Sequence, residues 1–395
     1  MFAAGPAPTR AIVQVPARLA LLGTGTVGNA VLQRLAQWQG APPGSRLSLV
    51  HVANSRRAVA GRSGIAADDV TGLLARSRQP GTLDAIATSL HGAGMHSGVV
   101  RIVIDATASE AVAERHAGWL AQGIHVVTAC KLGQGASLAR WRAIRAACVD
   151  GGTRYGDSAT VGAGLPVLRS IRELQAGGDR IHAIAGVLSG SLAWLCNHYD
   201  GLRPFSGLVR EARAAGYTEP DPREDLSGED VRRKLLILAR AAGVELDADA
   251  VDVASLVPSR LAALAFEDVD AGLALLDAPL RERYASACGN GGKLRFIARL
   301  ENRGARVGLE ALSSEHPLAG GTGTDNRIAI WSDRYREQPL VIQGPGAGAQ
   351  VTAAALLDDV FAIASQATTQ QASTTHAAWS SADQARIEAG AIAAA

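Results

Sequence analysis

Aromatic side chains make up only 4% of the 395 residues. That scarcity argues against stacking platforms for bases. With a formal net charge of +2 and no basic stripe, nucleic acid is excluded as an expected partner. Cysteine is equally sparse. The four, Cys130, Cys148, Cys196 and Cys288, are too scattered for a metal-ligand spacing or a disulfide framework, and a reduced, cytoplasmic setting is expected. Long apolar runs are missing too. The longest charge-free stretch in the body of the chain, Gln338 to Leu357, is broken by three glycines and two prolines, so no membrane span is expected. The first residues lack the apolar core of a signal peptide. What is present, 47% apolar and 19% charged residues, is an ordinary globular composition, and the length suggests two or three domains.

The apolar residues set out a clear order. Arg18 to Leu22 is a short strand-like run leading into Gly23-Thr-Gly-Thr-Val-Gly28, and helical spacing follows from Asn29 to Gln37. Leu47 to Ala53, Val99 to Ile104 and Ile124 to Val127 are further strand-like runs, with a helix predicted over Glu110 to Gln122. Strands alternating with helices predict a doubly wound parallel sheet over 18–158. The stretch from 167 to 310 shows long helical segments, most clearly over Glu229 to Ala242, and an acidic loop, and 311–348 reads as glycine-rich and strand-like. A helical pattern over Val351 to Ala364 follows, between tails over 1–17 and 366–395 that lack the large apolar residues to pack alone.

Several motifs carry chemistry. Gly23, Gly25 and Gly28 have the G-x-G-x-x-G spacing, after a strand and at the start of a helix, which suits a dinucleotide pyrophosphate. The loop after the second strand offers Arg56 and Arg57 and no carboxylate before Asp68. That favours a 2′-phosphate over a free 2′-hydroxyl. Lys131 stands at the carboxyl end of a predicted strand, where ligands bind in open parallel sheets. Its neighbour Cys130 reads either as a thiolate nucleophile or as a small buried hydrophobe. Glu219, Asp221, Glu224 and Asp225 crowd a loop stiffened by Pro220 and Pro222, and such crowding calls for a cation such as a substrate ammonium. Ser227 is expected to cap the next helix, where Asp230 and Lys234 are four residues apart on one face. Small residues from Ser158 to Pro166 permit close backbone approach, and their carbonyls suit a monovalent cation.

Taken together, and most specifically through Gly186-Val-Leu-Ser-Gly-Ser191 and Gly216 to Leu235, the chain resembles homoserine dehydrogenase from about Arg18 to Ala364. The wording is similar to the dehydrogenase half of bifunctional aspartokinase–homoserine dehydrogenases. No kinase ahead of it, no ACT-type segment after it and no strong threonine inhibition are expected. The resemblance implies a Rossmann domain plus an α+β substrate and dimerisation domain, the latter over 159–348. It also implies a helix over 349–365 returning to the first domain, and a dimerisation sheet from 159–166 and 311–348. The implied reaction is reversible NAD(P)H-dependent reduction of L-aspartate 4-semialdehyde to L-homoserine. Its implied roles are acid–base catalysis for Lys234 and a bridge between cofactor and substrate for Lys131. Asp230 and Glu219 would bind the amino acid, with Asp225 beside them, and Gly25, Thr26, Val27, Thr107 and Gly348 would contact the dinucleotide. The backbones of Val161, Ala163 and Leu165 would form a sodium site. Implied partners are the small-molecule substrate and a second copy of the chain, with no nucleic acid and no membrane.

Two departures from the family pattern are Ser158, where a carboxylate is common, and Cys130, where Asn is usual. They keep two alternatives open. One is a semialdehyde dehydrogenase that uses Cys130 to form a thioester; the other is a catalytically silent NADP-binding dimer. Under the main reading, a protonated Lys234 meets the charge that develops on the aldehyde oxygen.

Overall fold

The structure is a computed structural model, and it describes residues 17–38, 46–91, 99–301 and 304–366. The predicted tails, apart from Ala17 and Gln366, lie outside the described residues. Six strands form the first sheet: β1 (Ala17–Leu22), β2 (Leu47–Ala53), β3 (Ala58–Ala60), β4 (Val100–Asp105), β5 (His125–Thr128) and β6 (Tyr155–Gly156). Their order is β3-β2-β1-β4-β5-β6. All neighbours are parallel except the short edge strand β3, which runs antiparallel to β2. Alternate side chains of β1 enter different cores, as a strand with period 2 must. Leu19 and Leu21 pack with Val31, Leu35 and Val360, while Ala20 and Leu22 pack with Ile86, Trp119 and Ile144. Burial on both faces explains why the sheet reads as uninterrupted apolar runs.

The second sheet contains β7 (Ile181–Val187), β8 (Val251–Val253), β9 (Gly292–Glu301), β10 (Gly304–Ser313), β11 (Asp325–Ser332) and β12 (Leu340–Pro345). Its order is β12-β11-β7-β9-β10-β8. Helices Val167–Ala176, Gly190–His198, Phe205–Ala214 and Glu229–Ala241 share one core with it, through Ile171, Leu195, Leu208, Leu235, Phe296 and Ile330. The 167–310 region carries the long helical segments its sequence suggests, and β7, β8, β9 and most of β10 lie within it as well. In β9 the core residues Phe296, Ala298 and Leu300 alternate with Arg295 and Arg299 on the other face, so the strand is not an uninterrupted apolar run. One expectation needs correction: 159–166 does not join the sheet. Gly162 (φ 75°) and Ala163 (φ 50°) are left-handed there, which a strand does not accommodate.

A helix over 349–366 crosses back to the first half. Ala353, Leu356, Val360 and Ile363, at helical spacing, complete the core on one face of the first sheet. The two halves are therefore interleaved in sequence, and the carboxyl edge of the first sheet faces the helix Glu229–Ala241, as the Lys131–Asp230 ion pair shows.

Candidate active site

The glycine turn is built for close approach. Gly23 has φ 90°, and a Cβ there would lie 2.8 Å from the Ala106 carbonyl oxygen. A Cβ on Gly28 would lie 1.9 Å from the Gly23 carbonyl oxygen. A Cβ on Gly25 would meet nothing within 4 Å, so the space above it is open. Gly25 begins the helix Thr26–Gln37, and no side chain caps it. The free N–H groups of Thr26, Val27 and Gly28 thus border a space that fits a diphosphate. Gly348 (φ 127°) stands just before the returning helix, where its carbonyl accepts from the Thr352 N–H and hydroxyl.

The loop after β2 is ordered by Asn54, whose side-chain oxygen accepts from the N–H groups of Arg56 and Arg57 at 2.9 Å each. The two arginines then part company. Arg57 donates to the Leu74 carbonyl at 3.2 Å and to the Ala75 carbonyl, closing the end of the helix Val70–Arg76. Arg56 is exposed, and its guanidinium has no partner among the described residues.

Across the sheet edge stands an ion cluster. Lys234 is 9% exposed. Its Nζ donates to the Leu188 carbonyl at 2.6 Å and pairs with Asp230 Oδ2 at 2.8 Å. Asp230 Oδ1 pairs with Lys131 Nζ at 3.2 Å. Burial lowers the Lys234 ammonium below its ordinary range and the Lys131 charge adds to the fall, while Asp230 partly restores it. The protein around Asp230 would by itself raise its carboxyl, but the Lys234 and then the Lys131 charges hold it well below the usual carboxylate range. Asn326, 1% exposed, donates to the same Leu188 carbonyl at 3.3 Å, so two elements fix the group that orients Lys234.

The acidic loop differs from its sequence reading. Asp221 is already paired with Arg223, at 2.7 Å. Asp225 accepts from the Ser191 hydroxyl at 2.7 Å and from the Glu219 N–H at 2.8 Å. Intramolecular donors thus offset part of the crowding, and Glu219 remains exposed. The expected cap at Ser227 is also displaced. Gly228 (φ 79°) caps the helix Glu229–Ala241, and Ser227 instead accepts from the Glu229 N–H.

Cys130 is 2% exposed, and burial pushes its thiol up to about 12. This corrects the nucleophile alternative, because a reactive cysteine needs thiolate character and access. Its N–H instead donates to the Thr128 hydroxyl at 2.8 Å. That hydroxyl belongs to a buried network with no counterpart in the sequence reading. Asp105 accepts from the Thr107 N–H and hydroxyl at 2.9 and 2.7 Å, from Thr128 at 3.2 Å and from His116 at 3.0 Å. The other His116 nitrogen lies 2.9 Å from the Tyr155 hydroxyl. The network joins the Thr107 loop to the residues before Lys131; its only sequence signal is a carboxylate ending an apolar strand.

Val161, Ala163 and Leu165 lie on the left-handed turn. The Leu165 carbonyl already accepts from the Val167 N–H at 2.8 Å. The carboxylate bound to Ser158 is that of Asp359, on the returning helix. No cluster of three or more His, Cys, Asp or Glu residues placed to hold a metal ion occurs among the described residues.

A glycine turn opens on the first sheet's carboxyl edge, the place where ligands bind in open parallel sheets, and a buried lysine from the second half faces that edge. The profile of the homoserine dehydrogenase NAD-binding domain matches residues 23–155, and that of homoserine dehydrogenase matches 166–361. A homoserine dehydrogenase of Emericella nidulans is 34% identical over 373 residues, covering 89% of this chain and 99% of that protein. The chain belongs to the homoserine dehydrogenase family. It is also 38% identical over 350 residues to bifunctional aspartokinase/homoserine dehydrogenase 2 of Escherichia coli (strain K12), covering 88% of this chain. It spans about two fifths of such bifunctional relatives, 43% of that one and 38% of the corresponding chloroplastic protein of Zea mays. Among solved structures, a Candida auris protein of unknown function is similar, with a TM-score of 0.81 and 32% identity over 88% of this chain and 98% of that one.

Proposed function

We propose that the chain catalyses the reversible reduction of L-aspartate 4-semialdehyde to L-homoserine with NAD(P)H, preferring NADP(H), on the way to threonine and methionine. The observation that carries this reading is Lys234, buried and held by Asp230 and Leu188 beside Lys131.

The dinucleotide, when bound, supplies the hydride chemistry. Gly25, Thr26, Val27 and Gly28 would hold its diphosphate with backbone N–H groups, with Thr107 and Gly348 beside them and Arg56 on the 2′-phosphate. Lys234 donates its proton to the oxygen that becomes the homoserine hydroxyl, and burial suits it by making the ammonium a better acid. Asp230 orients the donor and, with Glu219, receives the substrate ammonium. Lys131 sits where it would touch both ligands. Asp225 acts one step back, by holding the Glu219 backbone and Ser191. These steps use no cation at Val161, Ala163 and Leu165.

No described helix is long and apolar enough to cross a membrane. We place the enzyme in the cytoplasm as a homodimer, in keeping with four free cysteines. The test is homoserine-dependent reduction of NADP⁺ and NAD⁺ by the purified protein. Turnover with NADP⁺ exceeding that with NAD⁺ is expected. Dinucleotide binding without homoserine turnover would instead favour the silent-dimer reading.

A further inference from the structure

Lys131 belongs to the first half of the molecule, whereas Asp230 and Lys234 belong to a helix of the second. Their alignment therefore depends on what joins the turn over 131–136 to that helix. Two features do so. Arg240, in the helix's last turn, is 1% exposed. It donates to the Gln134 carbonyl, to the Ala136 carbonyl at 2.9 Å, and to the Leu246 carbonyl at 2.9 and 3.2 Å. It pairs with no carboxylate among the described residues. Gly135 provides the second. Its N–H closes the turn on the Lys131 carbonyl at 2.6 Å. A Cβ at Gly135 would lie 2.8 Å from that carbonyl oxygen and 2.9 Å from that of Arg233, the residue before Lys234. The turn thus lies directly against the helix backbone, pinned at Arg233 and again at Arg240.

A buried guanidinium with only neutral partners is unfavourable in itself. An apolar residue would end this helix at less cost, but it could not grip three carbonyls from two segments. We propose that Arg240 is a positioning residue that locks the 131–136 turn in register with the helix Glu229–Ala241, and so sets Lys131 against Asp230 and Lys234. The inference rests on the proposed roles of those three residues. A lysine at position 240, a point charge without the planar fork, would not reproduce the lock.

Releasing the turn would have a readable consequence at Lys234. The charged groups facing it are Asp230 on its own helix, Lys131 on the turn and Asp225 from the acidic loop. Its other hydrogen-bond partner is neutral, the Leu188 carbonyl beyond β7, which also accepts from the Asn326 amide on β11. If Lys131 drifts away, Lys234 loses a repelling charge and its pKa rises.

The experiment measures kcat for reduction of L-aspartate 4-semialdehyde against pH, and Kd for NADPH, in the full chain carrying Arg240→Met, Gly135→Ala or Lys234→Met. For Arg240→Met we expect a Kd within about twofold of wild type and a kcat roughly 10- to 100-fold lower, the scale of an ångström-sized misplacement. The alkaline limb of kcat should move to higher pH. Gly135→Ala should shift kcat and limb in the same directions with the arginine intact, and it alone decides if Arg240→Met does not fold. Unchanged kcat in the folded variants, or a lower kcat with the limb unmoved, overturns the proposal. Wild-type kcat in Lys234→Met would instead overturn the reading beneath it.

Discussion

At Lys234 desolvation and a carboxylate pull in opposite directions, and the net effect is a lowered pKa. The reduction needs the ammonium as donor, and the reverse oxidation needs the free amine as base. Reduction should therefore lose rate as pH rises through a value below the usual lysine range, while homoserine oxidation gains rate over the same window. Lys234→Met should keep dinucleotide binding, abolish this limb and lower kcat by roughly 10²–10⁴-fold; a limb that persists in the variant would assign it to another group. The arginine pair allows a sharper test. Arg57 is committed to the Leu74 and Ala75 carbonyls, which leaves Arg56 to read a 2′-phosphate. A charge-assisted contact contributes about 1.5–3 kcal/mol, and exposure and salt push it toward the lower end. Arg56→Ala should thus raise KM for NADP⁺ roughly tenfold and leave KM for NAD⁺ unchanged. Arg57→Ala should lower Tm and affect both cofactors alike. Equal KM increases for both cofactors in Arg56→Ala would remove Arg56 from the phosphate site.

Among the elements, the returning helix carries a buried polar latch, Asp359 on Ser158, besides the exposed contact of Gln350 with Gln33. The carboxylate accepts from the Ser158 N–H at 2.9 Å and its hydroxyl at 2.8 Å. Burial nevertheless raises the Asp359 carboxyl to about 6 from an ordinary 3.8, with Asp157 adding to the rise. A raised folded-state pKa means stability that is full below the unfolded value and lost as pH climbs through about 6, roughly 3 kcal/mol in all. Asp359→Asn can accept from the N–H and donate to the hydroxyl, so it keeps the latch without the charge. Its Tm should gain on the wild type steadily between about pH 4 and pH 7; thermal melts showing a gap constant with pH would clear Asp359 of this role. How far such elements were legible depended on the range of their contacts. Strands β1, β2, β4 and β5 of the first sheet, the glycine turn and the Asp230–Lys234 pair are local patterns, and sequence spacing was enough to find them, whereas the short edge strands β3 and β6 carry too few residues to show a pattern. Leu188 and Asn326 around Lys234, the His116–Asp105 pair and the Arg240 contacts with Gln134 and Ala136 join residues 11 to 138 positions apart. No periodicity encodes such pairings. Of the second sheet, β11 and β12 were legible in the strand-like 311–348, whereas β9, which alternates its apolar face with Arg295 and Arg299 on the other, and β7, which mixes His182 and Gly186 into its run, were not.

For the whole molecule, the interleaving of the two halves has a thermodynamic consequence. The first sheet's core is unfinished at residue 158. Leu356, Leu357, Val360 and Ile363, each 4% exposed or less, cover it from the far end of the sequence. Burying side chains of this kind contributes roughly 1.5–3 kcal/mol each, or about 6–12 kcal/mol together, as an upper bound. A whole domain is stable by only about 5–15 kcal/mol. The nucleotide-binding half, cut at residue 158, should therefore fail to fold cooperatively on its own, although it carries every strand of its sheet. A peptide covering 345–366, supplied in trans, should restore a cooperative thermal transition and dinucleotide binding, with a midpoint that rises with peptide concentration, as mass action requires. Circular dichroism melts of the 17–158 fragment with and without the peptide make the comparison. A cooperative transition of the isolated fragment, with NADPH binding near that of the full chain, would show that the returning helix is an accessory to this core and not part of it.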